Sequence, residues 1–124
     1  MRVAVWGAGN LGSPLVRRLT MSPHISEVRW INRSRERIAG DAVDLEHGLA
    51  VAPTCHWFDW QPETAAEAVL GQSDVVVLTA GTGVPPGDQR EAQYHDNQRF
   101  YRDKVLGPLD GFAGIALVVT NPVD

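Results

Sequence analysis

The sequence predicts an α/β fold, a doubly wound parallel sheet of five strands, on three observations. Short apolar runs alternate with longer segments whose apolar residues recur at helical spacing. The runs are continuously apolar rather than alternating in polarity, the pattern of strands covered on both faces. A glycine-rich turn follows the first run directly and opens the first helical segment. Strands separated by helices need crossover connections, and such crossovers build parallel sheets.

The elements follow in order. Arg2 to Trp6 reads as the first strand, and Asn10 to Thr20 as a helix with Leu11, Leu15, Val16 and Leu19 on one stripe, ended by Ser22-Pro23-His24. Glu27 to Asn32 reads as the second strand, and Arg35 to Leu49 as a helix with Ile38, Ala42, Val43 and Leu45 on one face. A weaker third strand is expected around Thr54 to Phe58, with Trp57 and Trp60 available to cover an edge or meet a partner. A short helix over 63–71, a fourth strand over 74–79, a long helix over 89–106 and a fifth strand over 114–119 complete the series. Pro and Gly fall as punctuation, without linker or repeat, so the 124 residues are read as one domain.

Composition narrows the class. Apolar residues make up 44% and charged residues 21%, which excludes a disordered or fibrous chain. The longest apolar runs, around Val75 to Leu78 and Ile115 to Val119, fall far short of the roughly 20 residues that span a bilayer, so no membrane role is expected. The opening residues carry too short an apolar stretch for a secretory signal, and Cys55 is the single cysteine, so the cytoplasm is the expected compartment. A net charge of −4 gives no general attraction to nucleic acid. Against that background Arg29, Arg33, Arg35 and Arg37 fall within nine positions, a local positive patch.

The turn Gly7-Ala8-Gly9-Asn10-Leu11-Gly12 carries the first chemical inference. The first glycine permits a tight turn, the second lets the backbone approach a diphosphate, and the third lets helix and strand pack closely. The free amides and helix dipole then hold the phosphates. Right-handed crossovers and this nucleotide-binding topology give the strand order 3-2-1-4-5. The fifth strand then lies at an edge, uncovered and apolar, which predicts a longer protein, a second domain or another subunit over it.

At the end of the second strand, 20 residues after Gly12, an NAD site usually places an acid on the adenosine ribose. Asn32 stands there instead, followed by Arg33, Ser34 and Arg35. An amide does not repel a 2′-phosphate, and arginines beside it supply charge-assisted hydrogen bonds. Arg33, Arg35 and Arg37 also stand near a helix N-terminus, where positive charge costs roughly 0.3 to 1 kcal/mol each and a bound anion offsets it. NADP is therefore the favoured cofactor, with NAD as the other candidate. The bland alternative is a solvated cluster paired with Glu36 and Asp41.

Four blocks in order cover nearly the whole chain: residues 7–12, Gly40-Asp41-Ala42-Val43-Asp44-Leu45-Glu46-His47-Gly48, Val75 to Asn97, and Val118-Val119-Thr120-Asn121-Pro122-Val123-Asp124. With them the sequence resembles the lactate/malate dehydrogenase family of 2-hydroxy acid dehydrogenases, whose dinucleotide-binding domain has the Rossmann-type sheet. The resemblance implies that Arg90 polarises the substrate carbonyl and that Asn121 hydrogen-bonds the same oxygen. A planar cation is suited to the charge that grows on that oxygen. It also implies that Thr79, Ala80, Gly81, Asn97, Val119 and Thr120 line the cofactor. Six residues before the catalytic arginine the family often places arginine in malate enzymes and glutamine in lactate enzymes; here the residue is Val84. A valine cannot neutralise a second carboxylate in a closed site, which favours a 2-oxo acid with an apolar side chain.

The family's proton-donating histidine and carboxylate-gripping arginine belong to the second half of its fold. His24, His47, His56 and His95 are read as structural or solvated, Cys55 as a small apolar residue, and no metal site is expected. The chain is thus expected to bind dinucleotide and, alone, to turn over little or nothing. Two alternatives stand beside this: a non-catalytic NAD(P)-binding regulatory module, and one half of a complementing enzyme. The presence of Arg90 and Asn121 favours the enzyme.

Overall fold

The computed structural model describes residues 1–51, 57–82 and 90–120, apart from the side chains of Arg90 and Glu91. Its strands are β1 (Arg2–Trp6), β2 (Glu27–Asn32), β3 (Trp57–Pro62), β4 (Val75–Leu78) and β5 (Ile115–Val118). The helices are α1 (Gly12–Thr20), α2 (Ala39–Val51), α3 (Ala66–Leu70), α4 (Arg90–Phe100) and α5 (Leu106–Leu109). All pairings are parallel, in the order β3-β2-β1-β4-β5. The expected topology is the one found.

Each central strand sends alternate residues to two cores. Val3, Val5, Val28, Trp30 and Val77 meet Val16 of α1, Leu45 of α2 and Ile38 on one face. Ala4, Trp6, Ile31, Val76 and Leu78 meet Ala66, Val69 and Leu70 of α3 and Val105 on the other. Burial on both faces is why these strands read as continuous apolar runs.

The two edges differ. On β3, Phe58 and Trp60 face the core while Trp57, Asp59 and Gln61 face away, so the strand alternates in polarity. It lies later than the expected Thr54 to Phe58 because its range is set by pairing, from Glu27 with Trp57 to Asn32 with Pro62. Residues 54–56 lie outside the described residues. Pro62, which has no N–H to donate, ends this edge strand. On β5 all four residues are exposed, Ile115 by 61% and Val118 by 54%, so the expected uncovered apolar edge is present.

Three helices depart from expectation. Leu11, 51% exposed, belongs to the turn before α1 rather than to its buried stripe. α2 begins at Ala39, since Arg35 to Ile38 form a turn closed by the Ile38 amide on the Arg35 carbonyl at 3.0 Å. Val43 is 47% exposed because the inward stripe runs through Ile38, Ala42, Leu45 and Leu49. The long helix is divided by a wide π turn over Tyr101–Val105. Pro108 in α5 cannot donate to the carbonyl four residues back, that of Lys104 inside this turn.

Candidate dinucleotide site

The C-terminal ends of β1, β2 and β4 enclose a cleft of about 310 Å³, at the place where open α/β sheets bind ligands. Its walls come from the first turn (Gly7, Ala8, Gly9), the end of β2 (Asn32, Arg33), and Thr79 to Thr82 after β4. Arg37, Glu63 and Phe100 also line it.

The glycines of the turn have separate reasons. Gly7 has φ of +122°, and a Cβ there would lie 2.5 Å from the Ala80 nitrogen and 2.6 Å from Thr79 Oγ1. A Cβ on Gly12 would run into the Gly7 carbonyl, so α1 can start this close to β1 only with glycine. A Cβ on Gly9 would meet no protein atom within 4 Å. Packing therefore does not explain Gly9, whereas a diphosphate against that wall does.

Two further features shape the turn. The Trp30 indole N–H, buried at the centre of β2, donates to the Gly7 carbonyl at 2.8 Å, and the Gly7 amide donates to the Ile31 carbonyl at 2.9 Å. α1 has no side-chain cap and no acid in its first turn. Its N-terminal amides and positive dipole end suit an anion. The residues present thus fit a dinucleotide diphosphate.

At the β2 end, Asn32 Nδ2 donates to the Ser34 carbonyl at 2.8 Å, which leaves Oδ1 as the acceptor for a ribose hydroxyl. Ser34 Oγ donates to Glu36 at 2.5 Å, and this bond holds the Glu36 carboxyl below its ordinary range. Arg35 lies over the Trp60 ring, 5.9 Å from its centroid, and is not part of the cleft wall. Arg29 falls outside the cluster: it pairs with Glu27 at 3.0 Å, donates to Gln72 at 2.7 Å and covers Trp57 at 5.0 Å. Asp41 is paired with Arg17 of α1 at 2.8 Å. The alternative of a cluster paired with Glu36 and Asp41 finds no salt bridge from either acid to Arg33, Arg35 or Arg37 among the described residues.

The β4–β5 end is closed by its own hydrogen bonds. The buried Asn97 side chain accepts from the Thr82 amide at 2.6 Å and from its hydroxyl at 3.0 Å. Thr120 Oγ1 donates to the Ala80 carbonyl at 2.8 Å and lies 2.5 Å from the Tyr101 hydroxyl. Burial pushes the Tyr101 hydroxyl above its ordinary range, against the opposing effect of its bond to Thr120. Gly81 has Thr120 and Asn97 at its back, where a Cβ would lie 2.7 Å from Thr120 Cγ2. Val119 continues β5 through its amide to the Leu78 carbonyl at 3.0 Å.

The structure therefore brings Gly7, Gly9, Asn32, Arg33, Thr79, Ala80 and Gly81 onto one cleft. Asn97 and Thr120 stand behind it as supports. Asn10, Leu11, Gly12, Ser34, Arg35 and Val119 are beside or behind the wall rather than on it. Val84 and Asn121 lie outside the described residues, as does the side chain of Arg90, the first residue of α4. The Trp30 anchor, the cleft position of Glu63 and the Tyr101 hydroxyl were missed from sequence, since each depends on a partner at least 19 residues away. Among the described residues there is no group of three or more His, Cys, Asp or Glu able to hold a metal ion, and no helix long and apolar enough to cross a membrane.

Fold and turn together define a dinucleotide-binding domain of the Rossmann class. The family described as lactate/malate dehydrogenase, NAD binding domain, matches residues 1–124, and the chain belongs to that family. It is 36% identical over 126 residues to an L-lactate dehydrogenase of Shouchella clausii, covering 99% of this chain and 37% of that relative. An L-lactate dehydrogenase 1 of Peribacillus psychrosaccharolyticus is 33% identical, covering 99% and 38%. The solved malate dehydrogenase of Aeropyrum pernix superposes with a TM-score of 0.82 at 29% identity, over 98% of this chain and 39% of that one. A lactate dehydrogenase from a Medee basin deep-sea metagenome library gives 0.81 at 27%, over 99% and 38%. The chain thus spans under two fifths of the length of the relatives it matches.

Proposed function

We propose that this chain is the cofactor-binding part of a cytoplasmic oxidoreductase that transfers hydride between a nicotinamide dinucleotide, NADP in preference to NAD, and a small 2-hydroxy or 2-oxo acid. The observation that carries this reading is the turn at Gly7, Gly9 and Gly12, open at Gly9 and closed by packing at the other two, facing an uncapped α1. The choice of NADP rests on Asn32 in the ribose position and on Arg33 and Arg37 beside it, neither of which makes an ion pair with a described residue. Bound, the nicotinamide supplies the hydride.

The chain's own part is to hold the dinucleotide along the ends of β1, β2 and β4 and to present Arg90 and Asn121 to the substrate oxygen. Arg90 stabilises charge growing on that oxygen, and Asn121 hydrogen-bonds it. Val84 offers no countercharge to a second carboxylate, which favours an apolar 2-oxo acid over oxaloacetate. The proton donor and the carboxylate-binding cation belong to the part of the relatives' length that this chain does not span. The exposed apolar β5 is assigned to an interface with that remaining part or with a second subunit.

The test is titration of the 124-residue chain with NADPH and NADH, followed by assay of a longer gene product with several 2-oxo acids. Tighter binding of NADPH without turnover by the chain, and turnover by the longer form, is expected. A chain that binds neither dinucleotide sinks the reading.

A further inference from the structure

Around the end of β2 the polar groups divide into those already engaged and those that are not. Ser34 bonds Glu36, Arg35 lies over Trp60, and Asp41 is held by Arg17. Arg33 and Arg37 both line the cleft and are exposed, and neither makes an ion pair or hydrogen bond with any described residue. Two like charges on one wall repel each other, and a multivalent anion between them removes that penalty.

Among the described residues the wall also carries one acid. Glu63 lines the same cleft, with Oε1 accepting from the Trp6 indole at 3.3 Å. One guanidinium is needed merely to balance that carboxylate, and only the second makes the wall attractive to a phosphate dianion. A single arginine after Asn32 would therefore be insufficient.

We propose that Arg33 and Arg37 together grip the adenosine 2′-phosphate, that Arg35 takes no part in it, and that Glu63 sets how strongly the grip discriminates. This deepens the cofactor assignment above and rests on it. Arg37 is the residue that local sequence places least well, four positions after Arg33 and across a turn. Arg35, though nearer to Asn32 in sequence, lies over Trp60 and is not among the residues that line the cleft.

The experiment measures Kd for NADPH and NADH on the wild-type protein and on Arg33→Ala, Arg35→Ala, Arg37→Ala and Glu63→Gln, with thermal unfolding of each as a check on folding. Charge-assisted hydrogen bonds of this kind correspond to about ten- to a hundredfold in affinity. Arg33→Ala and Arg37→Ala should each weaken NADPH by that factor and leave NADH within about twofold. Arg35→Ala should leave the ratio unchanged, and Glu63→Gln, whose amide oxygen still accepts from Trp6, should raise NADPH preference severalfold. Equal wild-type affinities would remove the NADP assignment itself, and this proposal with it. A wild type that prefers NADPH, with the preference intact in Arg37→Ala or lost in Arg35→Ala, would overturn the two-arginine grip and leave the assignment standing.

Discussion

At the β4–β5 end of the cleft, Thr82, Asn97, Tyr101 and Thr120 direct their polar atoms at one another and at the Leu78 and Ala80 carbonyls. At the β2 end, Arg33 and Arg37 direct theirs at nothing the described chain supplies. The first end has its shape without a ligand, because a buried polar group left unpaired is costly and each one there has a partner. The second is exposed to water, where unpaired guanidinium groups cost little. On the proposed reading, rigidity and selectivity lie at opposite ends of one cleft. Breaking the first should cost stability, and breaking the second should cost affinity.

The phosphate turn between the two ends offers the largest contrast. Gly12→Ala drives a methyl into the Gly7 carbonyl and to 2.7 Å from Thr79 Oγ1, and the backbone there cannot give way as a flexible side chain would. A loss of about 1–3 kcal/mol or more is expected in urea unfolding. Gly9→Ala meets no atom within 4 Å, so its stability should stay within about 0.5 kcal/mol of wild type. Its NADPH affinity should nonetheless fall by about tenfold or more, because the methyl occupies the diphosphate's approach. If Gly9→Ala bound normally, the turn would not be the diphosphate seat.

A smaller effect is expected behind the wall. Thr120→Val removes the hydroxyl that bonds the Tyr101 hydroxyl and the Ala80 carbonyl, which leaves two part-buried groups without this partner at about 1 kcal/mol or more. Adding Tyr101→Phe removes one of the orphans, so the double variant should be less destabilised than the two single losses predict together. A double-mutant cycle by thermal unfolding measures this, and strict additivity would show that the pair carries no coupling.

The same division explains what was legible in the sequence. β1 and β2 were readable to the residue, β1 because a strand buried on both faces carries a nearly unbroken apolar signal and β2 because Val28, Trp30 and Ile31 are β-formers set between a turn and a helical segment. The turn was readable from its glycine spacing after a strand and before a helix, although the atoms that exclude a side chain at Gly7 belong to Thr79 and Ala80, far along the chain. β3 runs past its expected end at Phe58 and on to Pro62, since Asp59, Gln61 and Pro62 are weak strand formers held in place by the β2 ladder. The arginine cluster was legible as charge but not as geometry. Asp41 is claimed by Arg17, 24 residues away on another helix, and Trp60 decides where Arg35 lies. Trp30 looked like one more apolar residue of a strand, and its bond to Gly7 required knowing that the β1 turn folds over the middle of the sheet.

The opposite rim of the sheet provides the last and smallest test, because it should affect stability alone. There Arg2 donates to Asp74 through its backbone amide and its guanidinium, both at 2.7 Å, joining the start of β1 to the residue before β4. These bonds, with the charge of Arg2, hold the Asp74 carboxyl down at about 2 against an ordinary 3.8. A carboxyl lowered in the folded state stabilises fully above its unfolded value, and the contribution is lost as pH falls from about 4 through about 2. Asp74→Asn should therefore flatten the stability profile over that acid window, and only slightly, since the pair is exposed and screened. Its dinucleotide affinity should match wild type, because the cleft lies at the C-terminal ends of the strands and Asp74 at the N-terminal ends. A drop in NADPH affinity in Asp74→Asn would show that strand alignment at one rim reaches the phosphate turn at the other, and that the two ends of the sheet are not independent.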